Sequence, residues 1–186
     1  MRVIGLAGWS GAGKTTLLLR LIPEFARRGL SVSTLKHAHH AFEIDHPDKD
    51  SFEHRAAGAR EVLVASSGRW ALVHELRGAP EPPLAEHLRR LSPVDLVVVE
   101  GFKAHAHPKI EVFRAANGKP LLCRDAPNVR AIASDAEVPD APVPVVPLDD
   151  VGAIADLCLR FAAPLADVLT ALGAAPTPAR LRLQRG

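Results

Sequence analysis

Residues 8–15 read Gly-Trp-Ser-Gly-Ala-Gly-Lys-Thr, which matches the G-x-x-x-x-G-K-T pattern of a phosphate-binding loop. Before the loop stands a short β-rich run at residues 2–7, and after it residues 16–28 place apolar side chains at helical spacing. The glycines let backbone N–H groups converge on a phosphate, and the positive end of the helix adds to the attraction. The segment therefore predicts a nucleotide-binding α/β protein with the loop at the end of its first strand.

Two side chains of this loop carry the expected chemistry. The Lys14 ammonium can reach the β- and γ-phosphates of a nucleotide, and the Thr15 hydroxyl can ligate Mg²⁺. Main-chain N–H groups around them complete the phosphate cradle. The residues expected to contact the nucleotide here are Ser10, Gly11, Ala12, Gly13, Lys14, Thr15 and Thr16.

The composition favours a soluble, cytoplasmic protein that binds neither nucleic acid nor membrane. The chain has 23 basic and 21 acidic residues, a net charge of +2, and no run that approaches the length of a membrane span. Its 2 cysteines form no C-x-x-C pair, which argues against a disulfide framework. The 186 residues predict a P-loop nucleotide-binding domain at 1–162, followed at 163–186 by a short amphipathic segment and a basic, flexible tail.

Apolar strand-like runs alternate with helical segments along the chain. Strands are predicted at residues 31–35, 61–65, 69–75, 95–99, 109–114, 129–133 and 143–148, and helices near 50–59, 84–91 and 150–161. Asp50 and Glu53 are spaced like a capping box, Asp149 can cap the last of these helices, and Asn117-Gly118 is a hairpin-type turn signal. The expected fold is α/β and P-loop NTPase-like: a doubly wound, mostly parallel sheet flanked by helices, with a β-hairpin or antiparallel edge.

Polar residues follow the predicted strands at the edge where ligands bind in such sheets. Glu100 ends the apolar run 95–99, so its carboxylate is the natural group to face the Mg²⁺ of a nucleotide, directly or through water. Lys36 and His37 end the second strand, and Lys103 follows two residues after Gly101 on a loop at the same edge. These side chains are expected to contact phosphate, although Glu100 could be a solvated strand end and Lys103 an ordinary surface lysine.

The polar segment 36–49 is rich in His and Asp and admits three interpretations. His37, His39 and His40 with Asp45 or His46 could bind a transition metal. Alternatively, Lys36 and some of the histidines face an anion while Asp45 or Asp50 completes the Mg²⁺ shell. The segment could also be a solvated loop with no ligand.

The groups that would select a base or neutralise charge are less well defined by the sequence. Asp135 follows the predicted strand 129–133 and could accept hydrogen bonds from guanine N1–H and N2–H₂, or could be a plain turn residue. Charge for a transition state could come from several arginines, among which spacing does not choose. His105 and His107 are expected to be solvated. The candidate arginines are Arg55, Arg60, Arg69 and Arg114.

Taken together, these segments resemble the MobB family, the molybdopterin-guanine dinucleotide biosynthesis proteins B. The Lys-His-x-His-His and Glu-Gly-Phe-Lys segments are more specific than the phosphate loop, which many families share. The resemblance spans residues 1–161 and rests on residues 9–17, 35–40, 49–51, 57–59, 99–103 and 131–135.

The resemblance implies a GTP-binding protein with weak GTPase activity that is a homodimer. Such a protein is thought to assist the guanylyltransferase MobA, which attaches GMP to molybdopterin to form molybdopterin guanine dinucleotide. Lys14, Thr15 and Glu100 would then be the catalytic groups with GTP and Mg²⁺, and Lys36, His37 and Lys103 would contact phosphates of the pterin dinucleotide or its precursor. Two alternatives stay open: a metal-insertion GTPase resembling the nickel chaperones, and a small-molecule kinase.

Overall fold

The computed structural model describes residues 1–38, 42 and 44–174. The chain forms two compact units, one of residues 1–37 with those described after 83, the other of residues 38–83. His39 and His40 of the polar segment, and the basic tail at 175–186, lie outside the described residues. The predicted division at residue 162 stays a prediction.

In the described part of the chain, strands and helices alternate much as the apolar runs predict. The strands are β1 (Arg2–Ala7), β2 (Val32–Lys36), β3 (Glu61–Ala65), β4 (Trp70–His74), β5 (Leu96–Glu100), β6 (Lys109–Phe113), β7 (Val129–Ser134), β8 (Val145–Pro147) and β9 (Ala163–Pro164). The α-helices are α1 (Lys14–Arg27), α2 (Asp50–Ala56), α3 (Leu84–Arg90), α4 (Val151–Phe161) and α5 (Leu165–Ala174), and two short 3-10 turns lie at Ala115–Asn117 and Leu122–Arg124.

The first unit is built on a mostly parallel sheet. Its strand order is β2-β5-β1-β6-β7-β8, and every neighbouring pair in that order is parallel. Only the short β9 runs antiparallel, beside β1, among the described strands of this sheet. The Pro-rich β8 lies at the edge, as its proline content predicts. The expected doubly wound α/β fold is confirmed.

Helices cover both faces of this sheet and bury its apolar side chains. On one face α1 and α4 pack over Ile4 and Leu6 of β1 and over Val98 of β5. Phe25 of α1 is fully buried in this layer. On the other face Leu84, Leu88 and Val168, from α3 and α5, pack over residues of β1 and β5. The central strands are therefore buried on both sides, which explains why β5 reads as a continuous Leu-Val-Val-Val run.

The second unit contains α2 and a two-stranded antiparallel sheet of β3 and β4. Leu63 pairs with Leu72 and Ala65 with Trp70 in the register, so these side chains share one face of the ribbon. That face is exposed: Trp70 is 67% and Leu63 60% accessible. The strand pair predicted around Ser66-Ser67-Gly68 is confirmed, and it is the antiparallel element of the expected fold.

Three local predictions are wrong in detail. Asp150, rather than Asp149, caps α4, because its carboxylate accepts a hydrogen bond from the Ala153 N–H at 2.9 Å. Lys49 occupies the N-cap position of α2 and makes no side-chain cap bond, so Asp50 and its partner form no capping box. The Asn117-Gly118 signal ends a 3-10 turn instead of a hairpin, since β6 and β7 are parallel and need a longer connection.

Buried polar side chains on and before β6 correct another expectation. His107 is 1% exposed rather than solvated, and its ring packs against Gly5 of β1. Lys109 is also 1% exposed, and its ammonium donates to the carbonyl of His107 at 2.8 Å and to that of His105. Burial lowers the pKa of Lys109 to about 7 and that of His107 to about 2. The hydrogen bonds of Lys109 and the packing of the His107 ring hold the loop after β5 against the sheet.

Candidate functional site

The phosphate loop lies at the carboxyl end of β1, as the sequence predicts. Gly8 leaves the strand with φ 153°, and a Cβ at this position would lie 2.5 Å from the carbonyl oxygen of Val112, so the close approach to β6 requires glycine. Gly11 and Gly13 adopt positive φ values of 79° and 92°. Helix α1 begins at Lys14 with Gly13 as its N-cap and no side-chain cap bond. The free N–H groups of its first turn therefore suit an anion.

The Lys14 side chain extends back across the phosphate loop to its first residues. Its ammonium donates to the carbonyl oxygens of Gly8 and Trp9, both at 3.0 Å. Partial burial lowers the pKa of Lys14, Glu100 raises it, and the neighbouring ammonium groups of Lys103 and Lys36 lower it further. The ammonium groups repel one another, which is an arrangement that an anionic ligand would relieve.

Thr15 and Glu100 meet because β1 and β5 are adjacent parallel strands. The Thr15 hydroxyl donates to the Glu100 carboxylate at 2.5 Å, and the Glu100 side chain is only 8% exposed. Lys36 aligns with Glu100 in the β2–β5 register. Its ammonium lies 3.4 Å from the Thr15 hydroxyl and 3.8 Å from the other Glu100 oxygen. The Lys36 ammonium therefore faces the Thr15 hydroxyl oxygen and one carboxylate oxygen of Glu100.

This oxygen pair fits Mg²⁺, which prefers hard oxygen ligands and keeps several of its waters. Thr15 and Glu100 supply two protein oxygens, and the Lys36 ammonium lies beside them. The other two predicted ligands belong to the second unit. There Asp45 accepts a hydrogen bond from Ser51 at 2.9 Å and lies 3.7 Å from the Arg55 guanidinium, while Asp50 opens α2. A metal role for Asp45 and Asp50 stays a prediction.

The remaining predicted contacts lie around the loop with partners of their own. Lys103 places its ammonium 4.3 Å from the centre of the Trp9 ring, a cation–π contact beside the phosphate loop. The His37 ring lies 4.5 Å from the ring of Phe102, and the His37 N–H donates to the Glu100 carbonyl at 3.0 Å. Their contacts to a ligand stay predictions.

A segment after β6 supports the loop in a way that sequence reasoning missed. Asn117 donates its amide to the Ser10 carbonyl at 3.3 Å, and Trp9 donates its indole N–H to the Pro120 carbonyl at 2.8 Å. Arg114 lies against Gly13. The sequence does not reveal the strand order. Because β6 lies beside β1, the residues that directly follow β6 lie beside the phosphate loop.

The transition-metal interpretation finds no support in the described residues. Within residues 1–38, 42 and 44–174, no three His, Cys, Asp or Glu side chains are grouped as a metal site requires.

None of the described helices combines the length and apolar character that crossing a bilayer needs.

Comparisons with known proteins show which family this chain resembles in sequence. The family model for molybdopterin guanine dinucleotide synthesis protein B matches residues 3–135. A molybdopterin-guanine dinucleotide biosynthesis adapter protein of Escherichia coli strain K12 is 40% identical over 86% of this chain and 92% of its own length. A protein of the same description from Haemophilus influenzae is 42% identical over 64% of this chain and 67% of its own length.

A solved structure shares the fold. The crystal structure of a molybdopterin-guanine biosynthesis protein B superposes with a TM-score of 0.67 and 27% sequence identity, covering 85% of this chain and 98% of the other. The family model spans both the phosphate loop and the Glu100 strand end. The chain belongs to the MobB family of molybdopterin-guanine dinucleotide biosynthesis proteins.

Proposed function

We propose that this chain is a GTP-binding accessory protein with weak GTPase activity in molybdenum cofactor biosynthesis. It would assist a MobA-like guanylyltransferase in joining GMP to molybdopterin, so that molybdopterin or its guanine dinucleotide is the further ligand. The observation that carries the proposal is the Thr15–Glu100 hydrogen bond of 2.5 Å beside Lys14, in a chain of the MobB family. This hydrogen bond supports the proposal because it joins the phosphate-loop threonine to the strand-end carboxylate that would together hold Mg²⁺.

Each residue of the site has a physical role in this proposal. Lys14 and the loop N–H groups bind the phosphates, and Thr15 with Glu100 holds Mg²⁺, which supplies positive charge to the β- and γ-phosphates when it is bound. Lys36 neutralises Glu100 until the metal arrives. Asp135 accepts hydrogen bonds from guanine. Turnover is expected to be slow, because no glutamine of the loop is placed to orient water.

Calorimetric titration with GTP, GDP and ATP plus Mg²⁺ tests the proposal. We expect GTP to bind more tightly than ATP, and Lys14→Ala to weaken GTP binding by about 2 kcal/mol or more, since a charge-assisted contact is lost. Arg89→Ala is the matched control, because Arg89 is exposed in the last turn of α3, which leads into the start of β5 at the opposite edge of the sheet from the loop. Equal affinities for Lys14→Ala and Arg89→Ala would contradict the proposal.

The fluorescence of Trp9 locates the ligand independently. The chain has 2 tryptophans and no tyrosine, so a Trp70→Phe variant leaves Trp9, in the phosphate loop, as its only strong fluorophore. GTP bound in the loop should change the Trp9 emission, with the same midpoint as the calorimetric titration. Binding without any change at Trp9 would place the ligand elsewhere.

The proposal includes a homodimer, which the family resemblance implies. The exposed apolar face of the β3–β4 ribbon, with Leu63, Trp70 and Leu72, is the surface that a second copy would cover. Light scattering after size exclusion should give twice the mass of the 19.9 kDa chain. Leu63→Glu combined with Leu72→Lys should give the monomer mass with an unchanged circular dichroism spectrum. A double variant that is still dimeric would exclude this face.

A further inference from the structure

Arg114 is a cationic side chain beside the phosphate loop, and it is one of the four arginines among which the sequence does not choose. It follows the last residue of β6, and β6 pairs with β1 up to Ala7, immediately before the loop. The guanidinium lies against Gly13: a Cβ on Gly13 would be 3.4 Å from Nη2 and 4.0 Å from Nε. The charge is therefore within van der Waals reach of the residue that precedes Lys14.

Two contacts hold this guanidinium and its backbone in place. The Asp135 carboxylate, at the end of β7, lies 3.3 Å from the Arg114 Nη1. Its other oxygen accepts a hydrogen bond from the Ala115 N–H at 2.8 Å, which fixes the turn that carries the arginine. Asn117, in the same turn, is bonded to Ser10 of the phosphate loop. The turn that carries the arginine is thus held by Asp135 on one side and by the phosphate loop on the other.

The ion pair with Asp135 uses one edge of the guanidinium. The Asp135 carboxylate lies beside Nη1, whereas Nε and Nη2 lie on the side of Gly13. A phosphate offers the Nε–Nη2 edge of a planar guanidinium two parallel, charge-assisted hydrogen bonds. A phosphate in the loop can therefore bind Arg114 while Asp135 keeps its contact.

We propose that Arg114 is a nucleotide-binding residue: its guanidinium binds the phosphates held by the loop of the same chain. Asp135 is its positioning residue. The inference rests on the proposed function, because it requires a polyphosphate in the loop. It adds a fourth cation to Lys14, Lys36 and Lys103. It also gives Asp135 a task that does not depend on the base.

The test is calorimetric titration of the full chain and of point variants with GTP and with inorganic tripolyphosphate, each with Mg²⁺. Arg114→Gln should weaken both ligands about 10- to 100-fold, and Arg114→Lys less, because lysine keeps the charge but lacks the planar fork. Arg89→Gln is the matched control, since it removes the same charge from an exposed residue in the last turn of α3, which leads into the start of β5 at the opposite edge of the sheet from the loop. It should leave both affinities unchanged.

Asp135→Asn separates positioning from base recognition. Tripolyphosphate has no base, so a residue that only reads guanine would leave its affinity unchanged. We expect Asp135→Asn to weaken tripolyphosphate about threefold or more, because the arginine loses its orienting partner. Unchanged tripolyphosphate binding would overturn the positioning role.

The outcomes distinguish this inference from the function beneath it. If the unsubstituted protein binds neither GTP nor tripolyphosphate, the proposed function and this inference both fail. If it binds them and Arg114→Gln binds equally tightly, only the inference fails. Should Arg114→Gln prove unfolded by circular dichroism, Arg114→Lys decides, since affinities equal to those of the unsubstituted protein would overturn the assignment.

Discussion

Replacing Lys109 by methionine should remove a distinct pH dependence from the stability of this protein. The Lys109 side chain is buried on β6 beside Gly5 of β1, where desolvation lowers its pKa to about 7 from the ordinary lysine value of 10.5. In the unfolded chain the side chain returns to water and to that ordinary value. Between these two values the unfolded chain binds one more proton than the native protein, so the free energy of unfolding rises with pH.

The structure sets the size of this effect. A full proton difference corresponds to about 1.4 kcal/mol per pH unit, and a pKa difference of roughly 3.5 units adds up to about 5 kcal/mol at most. The cost of burying the charge is fully present below pH 7 and is lost as the pH rises through the alkaline range. The neighbouring His107 does not titrate in this window, because burial lowers its pKa to about 2.

Urea titrations at half-unit steps from pH 7.5 to 9.5, at constant ionic strength, measure the effect. The free energy of unfolding of the unsubstituted protein minus that of Lys109→Met should increase by about 1.4 kcal/mol per pH unit. The difference removes contributions common to both proteins, such as the buried Cys158, whose pKa burial raises to about 12. Lys119→Met, which changes an exposed lysine, should show no such slope.

A flat difference between the two proteins would refute the reasoning. It would mean that the carbonyls of His105 and His107 stabilise the ammonium enough to cancel the cost of burial. Lysine would then be charged in the native protein throughout this range.

Three further substitutions test other parts of the fold by urea titration. Asp150→Ala should cost about 1 kcal/mol, because the Ala153 N–H loses its cap, whereas Asp149→Ala should cost nothing; equal effects would count against Asp150 as the cap. Gly8→Ala should lower the free energy of unfolding by several kcal/mol, because its Cβ would lie 2.5 Å from a carbonyl oxygen of β6. A decrease under about 1 kcal/mol would show that the loop relaxes easily. Glu111→Ala should cost about 2–5 kcal/mol, since its carboxylate accepts two backbone N–H bonds at 2.7 and 2.9 Å in the turn after β6, and Glu111→Gln should recover part of this.

Local pattern was sufficient for most elements of this fold. The apolar period of α1, the continuous run of β5 and the turn between β3 and β4 are each encoded within about a dozen neighbouring residues. Helix caps were harder to predict, since Asp149 and Asp150 are equivalent in sequence and only the backbone geometry chooses between them. The hairpin prediction at Asn117 failed because a local turn signal does not say which strand comes next in the sheet.

The order of residues along the chain is enough to place a phosphate loop between a strand and a helix, and Glu100 at the end of an apolar strand. Both are properties of contiguous residues. That β5 and β6 flank β1 follows only from the three-dimensional fold, because strand order depends on non-local pairing. That order brings Glu100 to Thr15 and Arg114 to Gly13, and it buries His107 and Lys109 beside Gly5 of β1, which their neighbours in sequence do not indicate.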